Sequence, residues 1–325
     1  MVQPSVLRRG LFALVCSAVL ALPAAAEYPD RPITLIVPWA AGGGTDTVSR
    51  MLASLMEREA GVPINVVNRT GGGGVVGHAA MMRARPDGYT LGMGTMEFTT
   101  YRPLGLADIG PDAFTLIARV AAIPAGVTVA DDAPYEDLAA LQAALAAGET
   151  GAMTSSGGGQ GGAWHLAAAG WMKNSGLDPN TIRYIPSQGG APALQDLVAG
   201  GLSMFTGSPV EAQALADAGR VRILAVMNPE RVPAFPDVPT LQEAVGVEWS
   251  ASTWFSLVGP AGLPDEVVAK VLEIAQKAHS SAEFQEFVAQ RGILAVWQPG
   301  EEFAAFADEF AATMGALIGD LGLGR

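Results

Sequence analysis

Three glycine-rich turns in the first half of the chain could seat an anion on main-chain amides. Each follows a short strand-like run. They are Pro38-Trp39-Ala40-Ala41-Gly42-Gly43-Gly44-Thr45-Asp46 after residues 34–37, Gly71-Gly72-Gly73-Gly74 after residues 64–67, and Ser155-Ser156-Gly157-Gly158-Gly159 after residues 150–154. Glycine permits positive φ and lets a ligand approach the main chain closely. A helix that starts just after such a turn offers unpaired N–H groups and a partial positive charge. Three such ends converging on one space bind an anion without a single lysine.

Other residue patterns point to other chemistries, and each has a plainer reading. Gly72, Gly74 and Gly77 fit G-x-G-x-x-G, yet the acidic residue expected about 20 positions later is missing and Asp87 comes too soon. No dinucleotide, and no other cofactor, is expected. The preferred reading is a glycine loop that presents N–H groups to a carboxylate. Ser155 or Ser156 with His165 would make a nucleophile and base, as in an exported hydrolase, but there is no G-x-S-x-G elbow and no orienting acid nearby. Hydroxyls that hydrogen-bond a ligand are the commoner use. His78, His165 and His279 are the only histidines and lack metal-ligand spacing, so no metal site is expected. His165 either holds the loop before its helix or touches ligand. Glu97 follows a strand end at Met93-Gly94-Thr95, as a solvated loop acid or as a partner for a ligand ammonium or hydroxyl. Glu211 reads as a first-turn helix acid. Trp39 and Trp164 adjoin glycine turns and form either an aromatic wall or core indoles.

The elements that must position these residues alternate between strand and helix. Strands are expected at 33–37, 64–67, 89–93, 151–154, 183–185, 202–205, 223–227 and 254–258. Helices are expected at 45–58, 77–84, 138–147, 164–173, 191–199, 265–279 and 303–317. In the first helix Val48, Met51, Leu52, Leu55 and Met56 recur with helical spacing, with Thr45 as the expected N-cap. Pro264 is expected at the first helical position of the 265–279 helix. The proline-rich stretch after Pro229 reads as an extended surface connection. The alternation implies an α/β fold with parallel sheets, in which ligands bind beyond the carboxyl ends of strands. Two α/β blocks of similar size are expected, with the last elements returning to the first.

The chain has 325 residues, half of them hydrophobic, and a formal charge of −13. Arg8 and Arg9, the apolar run 11–22 and Ala24-Ala25-Ala26 form a secretory leader, with the cut placed after Ala26. The apolar run is shorter than the roughly 20 residues a membrane span needs. Sec export is favoured and a twin-arginine route stays open. Without Arg8 and Arg9, 17 basic residues face 32 acidic ones, a charge of −15. Nucleic acid is a poor partner for that surface. The single cysteine, Cys16, lies inside the leader, so no disulfide framework is expected.

Several segments together resemble the periplasmic solute-binding receptors of tripartite tricarboxylate transporters, the Bug-type receptors. They are Tyr-Pro-Asp-Arg-Pro-Ile (28–33), Val-Pro-Trp-Ala-Ala-Gly-Gly-Gly-Thr-Asp (37–46), Val-Asn-Arg-Thr-Gly-Gly-Gly-Gly (67–74) and Pro-Asp-Gly-Tyr-Thr-Leu (86–91). Further on come Gly-Gly-Ala-Pro-Ala-Leu-Gln-Asp-Leu (189–197), Pro-Asp-Val-Pro-Thr-Leu (236–241) and Gly-Pro-Ala-Gly-Leu-Pro (259–264). The resemblance implies a two-lobed, type II periplasmic-binding α/β fold joined by two crossover strands. Residues 27–123 and 250–325 would form one lobe and residues 124–249 the other. It implies a periplasmic monomer that closes around a small organic carboxylate and passes it to membrane transporter subunits, with no catalysis. A ligand-sensing role on the same fold stays open. Carried over, the carboxylate seat comprises Ala41, Gly42, Gly43, Thr45, Gly73, Gly74, Thr95, Ser155, Ser156 and Gly157, with Gly189 and Ser208 opposite. The residues themselves add Trp39, Glu97 and His165. The chain departs from the family pattern at Ser187, in the longer Gly159–Gly162 loop and at Glu97, so a plain dicarboxylate is not implied.

Overall fold

The computed structural model describes residues 28–187 and 189–324. The leader expected at residues 1–26 lies outside them. The first half of the chain runs β1 (Ile33–Val37), α1 (Gly44–Ala60), β2 (Ile64–Asn68), α2 (Val75–Met82), β3 (Thr90–Thr95), β4 (Phe114–Pro124) and β5 (Gly126–Ala130). Next come α3 (Leu138–Ala147), β6 (Met153–Ser156), α4 (Ala163–Asn174), β7 (Ile182–Tyr184), α5 (Gly190–Val198), β8 (Met204–Phe205), α6 (Pro209–Asp217) and β9 (Val221–Val226). The chain ends with α7 (Leu241–Val245), β10 (Ser252–Pro260), α8 (Asp265–Ser280), α9 (Ala282–Ala289), β11 (Leu294–Pro299) and α10 (Gly300–Asp320).

These strands form two sheets, ordered β11-β4-β10-β3-β1-β2 and β7-β6-β8-β5-β9. Each sheet has a parallel trio, β2-β1-β3 in one and β7-β6-β8 in the other. Beside each trio lies a strand of opposite direction. β10 runs antiparallel to β3 and β4, and β5 runs antiparallel to β8 and β9. The sheets are therefore mixed rather than parallel as expected. The reason is the connection: β10 enters the first sheet from the second, and β5 enters the second from the first, so each arrives against the local strand direction. The two crossings are tied together. Ala125 N–H donates to Ala251 O at 2.8 Å, Met227 N–H to Ala125 O at 2.8 Å, and Ala251 N–H to Met227 O at 2.9 Å.

Each sheet has its own core. Val48, Leu52, Leu55 and Met56 of α1 pack with Ile33, Leu35 and Val37 of β1 and with Val267, Val271 and Ile274 of α8. That packing explains the helical spacing in α1 and returns the C-terminal helices to the first sheet. α1 ends on Gly61, whose φ of 69° closes the helix in the left-handed region. The second core gathers Val127, Val129, Leu141, Leu145, Trp171 and Met204.

Three local expectations are corrected. Thr45 is not the N-cap of α1. Gly43 is, and Thr45 lies one residue inside the helix, where it is buried. Pro264 sits at the N-cap of α8 rather than inside it. The proline-rich stretch is not merely a surface connection, because Val232 and Phe235 are buried and pack with Val226, Val210 and Leu294.

Candidate functional site

The carboxyl ends of both parallel trios face one cleft of about 740 Å³. From the first sheet, the turn after β1 contributes Trp39, Gly43, Gly44 and Thr45, the β2–α2 loop contributes Gly73, and the end of β3 contributes Glu97 and Tyr101. From the second, the β6–α4 loop contributes Gly157 to Trp164, the β7–α5 loop contributes Ser187, Gly189 and Gly190, and α6 contributes Glu211. The crossing strands close the floor with Ile123, Thr253 and Phe255.

Three helices of eight residues or more start at this cleft: α1, α4 and α5. Their N-caps are Gly43, Gly162 and Gly189, and none carries a side-chain cap. By contrast α6, whose first turn also reaches the cleft, is capped by Ser208, and α3, α7 and α9 by Asp137, Thr240 and Ser281, while α2, α8 and α10 carry no side-chain cap. A helix N-terminus leaves up to four N–H groups without helical partners. Glycine caps therefore leave these donors and the positive ends of the dipoles available to a ligand. Among the described residues lining the cleft none is Lys, Arg or His, and two are acids, Glu97 and Glu211.

The glycine loops are braced from behind. Asp46, 2% exposed, accepts from Gly42 N–H at 2.8 Å, from Arg50 Nε at 2.9 Å and from Asn68 Nδ2 at 2.8 Å. Burial alone would raise the Asp46 carboxyl, but its bonds to Arg50, Gly42 and Asn68 hold it below the usual carboxylate range. Asn68 also donates to Trp39 O at 2.9 Å, and Trp39 Nε1 donates to Thr95 Oγ1 at 3.2 Å. The second loop has positive φ at all four of Gly71 to Gly74. A Cβ on Gly74 would stand 2.6 Å from the Tyr101 hydroxyl, so no other residue fits there. His78 is fully buried beneath it. Thr95 N–H donates to Nε2 at 3.2 Å, which places the ring proton on Nδ1, next to Gly74 O at 3.0 Å and the Tyr101 hydroxyl at 2.9 Å. Tyr101 in turn donates to Gly73 O at 2.9 Å. Desolvation pushes His78 down to about 4, so it is neutral at pH 7.

The third loop is held in the same manner. His165 Nδ1 accepts from Gly161 N–H at 3.0 Å, and its ring stacks on Tyr184 at 4.3 Å between centroids. The Tyr184 hydroxyl accepts from Gly158 N–H at 2.9 Å. Burial pushes His165 down to about 4.

Of the residues singled out from sequence, Trp39, Gly43, Thr45, Gly73, Glu97, Gly157 and Gly189 line the cleft. The others stand behind or beside it. Ala41 and Gly42 lie on the exposed outer side of the first turn. Gly74 is under Tyr101, and Thr95 is bonded to Trp39 and His78. Ser155 shares a 2.7 Å hydrogen bond with Thr206 Oγ1, and Ser156 is buried with its Oγ unpartnered. His165 braces its loop, and Ser208 caps α6. The serine loop enters the core because β6 is the middle strand of its trio, covered on both faces. Neither serine is hydrogen-bonded to His165, so the nucleophile–base pair of a hydrolase is not assembled. Among the described residues no group of three or more His, Cys, Asp or Glu side chains is placed to hold a metal ion. Sequence reasoning missed Tyr101, Asn68 and the cleft position of Glu211. Only the acid's place in the first turn of α6 was legible.

The two acids differ in setting. Burial raises the Glu97 carboxyl, opposed by the Thr95 hydroxyl and its own backbone N–H, and leaves Oε2 with no hydrogen-bond partner. Burial also raises Glu211. Its carboxyl group lies so close to the start of α5 that a Cβ on Gly190 would stand 2.5 Å from it.

Comparison with known proteins agrees with this architecture. A family profile described as "Tripartite tricarboxylate transporter family receptor" matches residues 48–323. Protein BugT of Bordetella pertussis is 29% identical over 323 residues, covering 95% of this chain and 94% of BugT. A ligand-free TctC solute-binding protein from Polaromonas is 32% identical with a TM-score of 0.78, covering 90% of this chain and 99% of that one. MatC of Rhodopseudomonas palustris, solved with bound malate, is 26% identical with a TM-score of 0.72, covering 90% of this chain and all (100%) of MatC. No helix among the described residues is long and apolar enough to cross a membrane.

Proposed function

Because the chain belongs to the tripartite tricarboxylate transporter receptor family, we propose that it is a periplasmic receptor that captures a small organic carboxylate and delivers it to membrane transporter subunits. The observation that carries this reading is the set of three helices, α1, α4 and α5, that open on the cleft with bare glycine caps. A carboxylate set against such ends accepts charge-assisted hydrogen bonds, each contributing about 1.5–3 kcal/mol. The malate bound by MatC supports the same ligand class.

In this reading residues 27–123 and 250–325 form one lobe, residues 124–249 form the other, and the cleft closes by bending at the two crossings. Trp39, Gly43, Thr45, Gly73 and Glu97 meet the ligand from one side and Gly157 and Gly189 from the other. The receptor is a monomer exported by a leader cut after Ala26.

A thermal-shift screen over mono-, di- and tricarboxylates and aromatic acids tests the ligand class. At least one acid should raise the melting temperature by several degrees. If sugars, cations or neutral compounds do so and no acid does, the reading fails. Small-angle scattering tests closure separately, since the radius of gyration should fall at saturating ligand.

A further inference from the structure

The cleft holds a chemical asymmetry that a simple carboxylate does not explain. Two carboxyl groups, Glu97 and Glu211, face it without any basic side chain among the described lining residues. Glu211 lies over the first residue of α5 and has the positive end of that helix as its neighbour. Glu97 has only a single-turn 3-10 helix, the Thr95 hydroxyl and its own backbone N–H to set against its charge. Its Oε2 is buried without a hydrogen-bond partner, at the end of β3. A buried carboxylate oxygen left unpaired is costly unless something supplied from outside completes it. The half-buried Trp39 ring lines the cleft, with Tyr101 buried behind the second glycine loop, and aromatic faces attract cations as well as apolar groups. A dicarboxylate dianion closed into this space would put four carboxyl groups together with only dipoles to oppose them.

From this arrangement we infer that the ligand carries a protonated amine as well as a carboxylate, with the amine meeting Glu97 on the Trp39 side of the cleft. The inference rests on the carboxylate-receptor reading and narrows it: the bare helix ends take the carboxylate, and Glu97 takes the cation. A hydroxyl would satisfy Oε2 without balancing its charge, so the amine is the group that both observations select.

The test is calorimetry of the purified protein with matched acids of equal length bearing a terminal amine, hydroxyl or methyl group. Such a set is 4-aminobutyrate, 4-hydroxybutyrate and valerate, repeated one methylene shorter and longer, with succinate and glutarate alongside. At the best length the amine member should bind at least about tenfold tighter than its methyl partner, the gain of one charge-assisted contact. In E97Q that ratio should fall to about threefold or less. Should E97Q not fold, E97D, which draws the carboxylate back by one methylene, must weaken the amine member more than the methyl member. Hydroxyl or methyl acids, or the two diacids, binding as tightly as the amine acids would overturn the inference and leave the carboxylate reading standing. An amine preference that survives in both Glu97 variants would overturn the assignment to Glu97. Failure of every acid to bind would overturn both readings.

Discussion

Glu211 lays its carboxyl group against Gly190, the first residue of α5, where a Cβ would stand only 2.5 Å away. The two residues lie on successive helices of the second sheet. Glu211 thus stands beside the start of α5, a place no acid of the protein takes at α1 or α4 among the residues lining the cleft. Like charges about 8 Å apart at an effective dielectric of about 20 repel by roughly 2 kcal/mol before salt screening. E211Q is therefore expected to tighten carboxylate binding about three- to tenfold by calorimetry at low salt. Unchanged affinity would mean that the bound ligand lies out of range of Glu211.

Gly43 caps α1 and lines the cleft, with a φ of −76° that any residue can adopt. A Cβ there would meet nothing closer than Ala40 O at 3.5 Å. G43V should therefore fold, with a melting temperature within a few degrees of the parent. Its branched side chain would occupy the approach to the α1 amides, so carboxylate affinity should fall at least about tenfold, the equivalent of one charge-assisted hydrogen bond. Full affinity in a folded G43V would remove α1 from the site.

Asp46 gathers Gly42 N–H, Arg50 and Asn68 around one buried carboxylate. D46A leaves those donors unpaired and should cost about 2–4 kcal/mol in urea unfolding. D46N removes the charge paired with Arg50 and turns an NH2 toward one donor, but its amide oxygen still accepts from the others, so its cost should be smaller. Equal costs for the two variants would show that the charge contributes nothing.

Glu97 makes stability depend on pH in a direction opposite to most acids. Burial raises its carboxyl above the ordinary 4.5, so between those values the folded state binds more protons than the unfolded one. Its favourable contribution is present below 4.5 and is lost as pH rises through the raised value. E97Q should accordingly melt higher than the parent at pH 7.5, and the gain should shrink toward zero at pH 4. A variant that melts lower at pH 7.5 would contradict the buried, unpaired setting of Oε2.

His78 and His165 are both held near 4, against an ordinary 6.5, by burial. The unfolded chain takes up their protons first, so the stability they protect is present above 6.5 and is lost as pH falls toward 4, about 3 kcal/mol for each. In proton NMR, the ring signals of His78 and His165 should hold their positions from pH 7.5 to 5. Titration of the His78 or His165 signal near 6.5 would mean that the brace behind its glycine loop is open to solvent.

Much of this site was legible because its purpose is written in backbone chemistry. Runs such as Gly71–Gly74 have few uses other than positive φ, and all four residues adopt it. The apolar period of α1 was equally plain, since that helix buries one face and exposes the other. Strand direction was not legible. Nothing within Ser252–Pro260 distinguishes a strand that continues a parallel trio from one that arrives from another sheet. β4 was overlooked altogether, since the buried positions of Phe114–Pro124 do not follow a strict two-residue alternation. Thr95, Ser155 and Ser156 belong to a ligand seat by type, but the sheet turns them into the interior, where Trp39, His78 and Thr206 are their neighbours. The meeting of Glu211 with Gly190 depends on how α5 and α6 pack, which no local pattern encodes.

The three main-chain bonds among Ala125, Ala251 and Met227 have a mechanical consequence. They make the two crossings one ribbon, anchored at three points that do not lie along a single strand. A ribbon pinned in this way resists shear and torsion while remaining free to flex about the line across its width. In the closure proposed above, such a ribbon would confine the opening between the two sheets to a crease, so that the mouths of α1 and α4 would approach along a single arc.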